Sequence, residues 1–274
     1  MTTNTAVIVT YNSERTIESC LSSIPNSDVD VVVVDNNSTD RTVETSKNFP
    51  EVKLIRNEQN LGFGKANNIG AKNSNSKYIL FLNPDSKLEG DAVEKLASYL
   101  DTHSDVAVVG PKLLNSDSSI QKEIARFPTL FSQILILLRA HRLPFLGNFA
   151  YQNLDYNKTQ EAEHLMGAAL LVRREVFEKV GGFDENFFLW FEETDLLKRI
   201  EDKGYKIIYY PEAVVTHLVG QSTKQLSFWK RQTIWNKSLI YYFSKNKTWL
   251  HVLFLIPFIL LSYVASFITS LVKR

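Results

Sequence analysis

The chain has 274 residues, 44% of them hydrophobic and 22% charged, enough for one large α/β domain with appendages or for two small ones. A net charge of +1 supplies no field strong enough for nucleic acid, so no nucleic-acid partner is expected, and the single Cys20 excludes an internal disulfide framework. The first residues lack the basic stretch of a secretory leader, so a reducing, cytosolic setting is expected for the catalytic part.

In chain order, residues 6–10 form a short β-rich apolar run, and residues 14–23 read as a helix with Ser13 as its N-cap. Residues 29–34 are apolar enough for a strand buried on both faces. They stop at the polar turn Asp35-Asn36-Asn37-Ser38-Thr39-Asp40, which can cap a helix beginning near Arg41. Val52–Arg56 makes a third strand, Asn60-Leu61-Gly62-Phe63-Gly64 a turn, and residues 65–73 a helix; Tyr78–Leu82 is a fourth strand, running into Asn83-Pro84-Asp85. Repeated strand, polar loop and helix predict an α/β fold with a mostly parallel, doubly wound central sheet. Ligands of such sheets sit beyond the carboxyl ends of the strands. Each polar cluster above lies at such an end, so the clusters read as one site.

Residues 91–102 then read as a helix and 106–109 as a strand, while 110–126 lose periodicity. Residues 129–146 are apolar with Arg139, His141 and Arg142 interleaved, which suits either an acceptor-side segment touching lipid or an amphipathic helix packed on the core. Residues 165–172 come next as a strand, 175–180 as a helix stopped by Gly181-Gly182, and 195–203 as a helix ending at Gly204. Strands at 205–210 and 213–217 come last, the second ending on His217. From 248 to 272 there is no Asp, Glu, Lys or Arg, and the stretch is long enough to cross a hydrocarbon core. Lys224, Lys230, Arg231, Lys237, Lys245 and Lys247 precede it and only Lys273 and Arg274 come after it, which keeps the preceding domain on the cytoplasmic side. His251 and Pro257 leave open a helix lying in the membrane surface, a homodimer pairing through this stretch, or a buried C-terminal helix. The expected division is a catalytic domain over 1–224 and amphipathic and hydrophobic membrane-associating helices over 225–274.

Three clusters carry chemistry. Asp35, at the end of a buried strand, can accept the imino hydrogen of uracil or thymine, with Thr10 and Asn12 at the neighbouring strand end; a helix-capping role explains the same residue equally well. Asp85 projects from a strand end where Mg2+ or Mn2+ can take a carboxylate oxygen alongside phosphate and water. His217 suits a second ligand to a manganese-like ion or a structural histidine. Glu192, Glu193 and Asp195 come directly after the apolar run Phe187-Phe188-Leu189-Trp190-Phe191. An apolar wall raises a carboxyl pKa toward the range a general base needs, whereas a helix N-terminus attracts acids through its dipole. Gly62-Phe63-Gly64 is no dinucleotide loop, because the third glycine of that pattern falls at Asn67 and the turn comes after the third strand.

Taken in order, the motifs resemble those of family 2 glycosyltransferases, in particular the bacterial rhamnosyltransferase-like branch. They are Val7-Ile8-Val9-Thr10-Tyr11-Asn12, Val33-Val34-Asp35-Asn36-Asn37-Ser38-Thr39-Asp40, Asn60-Leu61-Gly62-Phe63-Gly64-Lys65-Ala66-Asn67-Asn68-Ile69-Gly70, Leu82-Asn83-Pro84-Asp85 and Arg126-Phe127-Pro128-Thr129, then Gly167-Ala168-Ala169-Leu170-Leu171-Val172-Arg173-Arg174, running through Gly181-Gly182-Phe183-Asp184-Glu185 to Glu192-Glu193-Thr194-Asp195-Leu196. The resemblance spans roughly residues 6–220 and implies a GT-A fold and an inverting, Mg2+- or Mn2+-dependent transfer. It puts Asp35 at the nucleobase, with Thr10, Asn12, Gly62, Lys65, Asn67 and Asn83 around the nucleotide. Asp85 becomes the metal-binding end of an Asp-x-Asp motif whose first position is Asn83 here, and His217 the downstream metal ligand. Glu193, with Glu192 in contention, becomes the base; Gly167, Ala168, Trp190, Phe191, Asp195 and Arg126 surround the donor and acceptor sugars. The implied reaction moves L-rhamnose from dTDP-L-rhamnose to a lipid-linked or polysaccharide acceptor of the cell envelope, at the cytoplasmic face of the membrane. A UDP-GlcNAc or UDP-galactofuranose donor, and an inactive sugar-nucleotide-binding subunit, are the alternatives.

Overall fold

The structure is a computed structural model describing residues 3–25, 28–121, 124–143, 145–152, 155–218 and 226–272, with backbone alone over 264–272. Lys224, the expected boundary between 224 and 225, Lys273 and Arg274 lie outside the described residues.

Nine strands make one sheet: β1 (Asn4–Thr10), β2 (Val29–Asp35), β3 (Val52–Arg56), β4 (Tyr78–Leu82), β5 (Ser86–Glu89), β6 (Val106–Leu114), β7 (Gln160–Glu161), β8 (Ala169–Arg173) and β9 (Lys206–His217). Their order is β3-β2-β1-β4-β8-β6-β9-β5, with β7 on β9. β1 pairs in parallel with β2 and β4, and β2 with β3. β8 runs antiparallel between β4 and β6, so β6 and its parallel neighbour β9 point the same way as β4. Only β5, β7 and β8 run backwards, which gives the mostly parallel sheet expected.

Both faces are covered, which is why the central strands are apolar throughout. Alternate residues go to opposite sides. Ile8, Leu80 and Leu171 join the cluster under α1 (Ile17–Ser22) and α4 (Ala92–Thr102). Val7, Ile79, Leu170 and Val172 join the one under α6 (Arg174–Lys179) and α7 (Glu192–Glu201). α3 (Phe63–Lys72) lies so close to β1 that a Cβ on Gly70 would sit 2.2 Å from Val7 Cγ1. A third cluster joins α5 (Leu130–Leu137), α8 (Phe228–Asn246) and α9 (Trp249–Val272) around Phe187 and Phe191. Among the described residues no helix is long and apolar enough to cross a membrane.

Several expected boundaries move. Ser13 is not the cap of α1: the helix starts after Thr16, and the Ser13 backbone N–H is instead held by Thr42 Oγ1, at 2.7 Å. The helix near Arg41 is α2 (Thr42–Lys47), and its first N–H goes to Asp40, not Asp35. The two last strands are one strand, β9, because Pro211 falls at a register shift where no ladder bond is needed. The apolar stretch at 129–146 is not one helix: α5, capped by Thr129 and Ser132, gives way to tight turns at Ala140–Arg142 and Gly147–Phe149.

Candidate active site

The switch from β4 to β5 builds the first half of the site. Ser86 of β5 pairs with His217, the last residue of β9, and the Leu218 N–H donates to the Asp85 carbonyl at 2.9 Å. The two side chains therefore meet, with His217 Nε2 3.4 Å from Asp85 Oδ1 and both almost wholly buried, at 5% and 6% exposure. Gln121 sets the imidazole's tautomer. Its amide N–H groups donate to the carbonyls of His217 (2.6 Å) and Leu114 (3.2 Å), so its oxygen takes the Nδ1–H at 3.1 Å. That leaves the Nε2 lone pair toward the carboxylate, the arrangement in which a histidine binds a metal with its other nitrogen tied down. No cluster of three or more His, Cys, Asp and Glu side chains exists among the described residues. One carboxylate and one imidazole still fit Mg2+ or Mn2+ in a site where substrate phosphates supply the remaining oxygens.

The second half is the acid pair. Glu192 and Glu193 open α7 directly after Trp190 (φ 66) and Phe191 (φ 70), two adjacent non-glycine residues in the left-handed region. Each costs roughly 1–2 kcal/mol and persists only where packing over-determines it. Here α8 supplies that packing: the Phe191 ring packs at a tilt against Trp235 and Tyr242, and Ser238 Oγ donates to the Leu189 carbonyl at 2.8 Å. From the other side, the Phe63 N–H donates to the Phe188 carbonyl at 2.9 Å, and a Cβ on Gly62 (φ 88) would come within 2.5 Å of that oxygen. In each of Glu192 and Glu193, Oε2 is buried without a hydrogen-bond partner. Burial raises both carboxyls above the ordinary glutamate range, and the Glu193 charge pushes Glu192 well above it. Gly167 lies beside the Glu193 side chain, whose Cβ is 3.6 Å from where a Gly167 Cβ would be, an ordinary contact distance.

Both halves face one cavity of about 750 Å3 at the carboxyl ends of the strands. Of the residues anticipated from sequence, Gly62, Asn83, Asp85, Gly167, Ala168, Trp190, Glu192, Glu193 and His217 line it. The others are not brought to its wall. Asp35 is fully buried, and its carboxylate accepts from Thr10 Oγ1 (3.1 Å), the Ser38 N–H (3.0 Å) and the Ser38 hydroxyl, with Arg56 at 3.9 Å; its neighbour Asn36 reaches the cavity instead. Asn12 Oδ1 accepts from the Thr39 N–H, Lys65 pairs with Glu185, and Asn67 donates to the Phe63 carbonyl. Phe191 is buried behind Trp190 in the helical cluster. Asp195 is clasped by Arg199 (2.7 Å) and Lys245 (2.8 Å), which ties α7 to α8, and Arg126 pairs with Glu163 at 2.8 Å. These last three were expected beside the sugars. The structure uses their charge or ring to hold the framework.

Sequence reasoning missed three residues. Gln121 lies in the patternless stretch. Asn68 grips the backbone of Phe183 through both ends of its amide, at 2.9 Å each, and so joins α3 to the loop before the acid pair. His164 lines the cavity as a lone histidine with no motif around it.

The family model for glycosyl transferase family 2 matches residues 5–181, and a model described as the N-terminal domain of galactosyltransferase matches residues 148–220. The N-acetylglucosaminyl-diphospho-decaprenol L-rhamnosyltransferase of Mycobacterium tuberculosis is 28% identical over 235 residues, covering 79% of this chain and 76% of its own. The dTDP-rhamnosyl transferase RfbF of Shigella flexneri is 26% identical over 225 residues, 81% of this chain and 71% of its own. Among solved structures, the mannosyltransferase PcManGT from Pyrobaculum calidifontis in complex with GDP-Man and Mn2+ superposes with a TM-score of 0.62 at 18% identity, over 99% of this chain and 76% of that one. At that identity the likeness establishes the GT-A fold.

Proposed function

The chain belongs to glycosyl transferase family 2, and on that premise we propose that it is an inverting transferase moving L-rhamnose from dTDP-L-rhamnose to a lipid-linked or polysaccharide acceptor, at the cytoplasmic face of a membrane. One observation carries the reading: the Asp85–His217 pair and the buried Glu192–Glu193 pair share a single cavity. Glu193, backed by Gly167, takes the proton of the acceptor hydroxyl as that oxygen attacks the anomeric carbon. The bond from that carbon to the diphosphate breaks on the opposite face, so configuration inverts. Asp85 and His217 would hold a Mg2+ or Mn2+ ion, whose charge neutralises the departing diphosphate when bound. Trp190 supplies an apolar wall that excludes water.

The donor assignment is supported by two relatives that bear rhamnosyltransferase names. The lipid-linked acceptor is supported by the first of them and by the exposed apolar side chains of α9 and of the turns after α5, where Trp249, Phe254 and Phe145 are 66%, 63% and 86% exposed. The test is transfer by the purified chain with Mn2+, offering dTDP-L-rhamnose, UDP-GlcNAc and GDP-mannose in turn, with the product's anomeric configuration read by NMR. Rhamnosyl transfer with inversion is the expected result. A chain that turns over UDP-GlcNAc and ignores dTDP-L-rhamnose, or that retains configuration, overturns the assignment.

A further inference from the structure

We propose that His164 is a sugar-binding residue of the cavity, its ring nitrogens meeting hydroxyl groups of the transferred or the accepting sugar. The proposal rests on the transferase reading above and adds to it a residue that no motif marks. His164 shares the cavity wall with Asp85, His217 and the glutamate pair. Both of its ring nitrogens are buried, and neither has a hydrogen-bond partner among the described residues. Neighbouring polar groups outside the glutamate pair are satisfied. Glu163 accepts from Arg126 and from the Phe127 N–H, the Glu163 N–H goes to Gln152, and the His217 ring is fixed by Gln121. The unpaired imidazole is thus a local exception in a segment whose other hydrogen bonds are made, and folded proteins leave few such groups without a use.

Position and chemistry agree. The His164 backbone bridges Ala125, and three residues later Gly167 packs against the Glu193 side chain, so one short segment carries both the imidazole and the backing of the base. Burial lowers the His164 pKa to about 4, so the ring is neutral at physiological pH. A neutral imidazole offers one N–H and one lone pair. Sugar hydroxyls both donate and accept, and so complement it without a charge being buried.

The test compares His164→Phe, which keeps a ring and deletes both nitrogens, with His164→Gln, which restores a donor and an acceptor. Because no hydrogen bond to a described residue is lost, H164F should melt at or above the wild-type temperature and should bind Mn2+ and free dTDP as wild type does. Its kcat/KM should nevertheless fall roughly ten- to hundredfold, with part of the loss recovered in H164Q. Deoxy analogues separate the two sources. A hydroxyl-deleted donor that loses nothing further in H164F assigns the contact to the donor, and the same behaviour of a deoxy acceptor assigns it to the acceptor. Transfer within twofold of wild type for both substrates, or a lower melting temperature with lost dTDP binding, overturns the proposal. If wild type transfers none of the three sugars, the function above fails and His164 is judged alone, by 15N NMR of its ring. Nitrogen shifts with dTDP-L-rhamnose, UDP-GlcNAc or GDP-mannose that the bare nucleoside diphosphates do not produce support it, and their absence overturns it.

Discussion

The decisive residues of the site are ionisable groups whose neighbours set their chemistry. Glu193→Gln removes the proton acceptor while keeping the side chain's volume beside Gly167, so kcat should fall by roughly 10²–10⁴ with dTDP binding intact. Full turnover in this variant would remove Glu193 from the mechanism. The raised carboxyls of the pair give a pH dependence with a definite sign. The base works ionised, so activity rises with pH and its acid limb lies above the ordinary glutamate range. Stability runs the other way. A folded pKa above the unfolded one contributes stability that is complete below the unfolded pKa, about 4.3, and is lost as pH climbs through the raised value. Glu192→Gln removes the repulsion between the two carboxylates, so its acid limb should move to lower pH and its urea midpoint should decline less than that of wild type between pH 4 and 8. A limb that stays in place would show that the two groups do not share a titration. At the other end of the cavity, Gln121→Leu leaves the His217 tautomer unset. The Mn2+ concentration for half-maximal activity should rise about 10–100-fold in a protein that remains folded by circular dichroism.

At the scale of elements, two glycines separate scaffold from site. Gly70 lets α3 lie on β1, and an alanine there meets Val7 Cγ1 at 2.2 Å. Overpacking of this kind costs about 1–3 kcal/mol, so G70A should lower the urea midpoint while KM for the donor stays as it was. Gly62 combines φ 88 with a carbonyl at 2.5 Å from any Cβ, and that carbonyl belongs to Phe188, just ahead of the strained residues that launch α7. G62A should therefore change stability and donor KM together; an unchanged KM would uncouple the loop from the cavity. The same elements show what the sequence made legible. Apolar strands leading into polar turns announced β1, β2 and β4, with the mixed strand β3 beside them, and the sheet that holds Asp85 at a strand end came with them. Local pattern cannot announce a pairing between distant segments. β5 has four residues and is a strand only because β9 lies beside it, and that pairing is what brings His217 to Asp85. Asp35 shows the converse: its motif position was plain, but nothing in the motif says that Thr10 and Ser38 donate to its oxygens. Glu192 and Glu193 were expected ahead of a helix starting at 195. They are its first turn, because the left-handed Trp190-Phe191 pair turns the chain three residues earlier.

For the whole molecule, the question is how an α/β domain meets an acceptor that would sit in lipid. The third cluster suggests an answer, since one subassembly presents two faces. Inward, α8 grips Phe187 and Phe191 and thereby holds the turn that launches the glutamate pair. Outward, α9 and the turns after α5 leave Trp249, Leu253, Phe254, Leu260, Leu261, Leu143 and Phe145 exposed. Arg139 and Arg142 stand among those turns, and Lys230 and Lys237 stand on the exposed surface of α8. Exposed apolar side chains together with exposed cations suit an anionic lipid surface, where each side chain the size of Phe or Leu gains about 1.5–3 kcal/mol on burial and each nearby cation about 1 kcal/mol. Binding through such a face should be salt-sensitive. The full chain is expected to float with phosphatidylglycerol vesicles at low salt and to release partly as salt is raised. F254D combined with L261D should weaken flotation at least tenfold, since two side chains of that size leave the interface. A water-soluble acceptor should be turned over equally well by wild type and this variant, because neither residue lines the cavity. A lipid-linked acceptor presented in vesicles should be turned over well by wild type alone. Equal flotation of the two proteins would remove the lipid face from the account and leave the cavity chemistry standing without it.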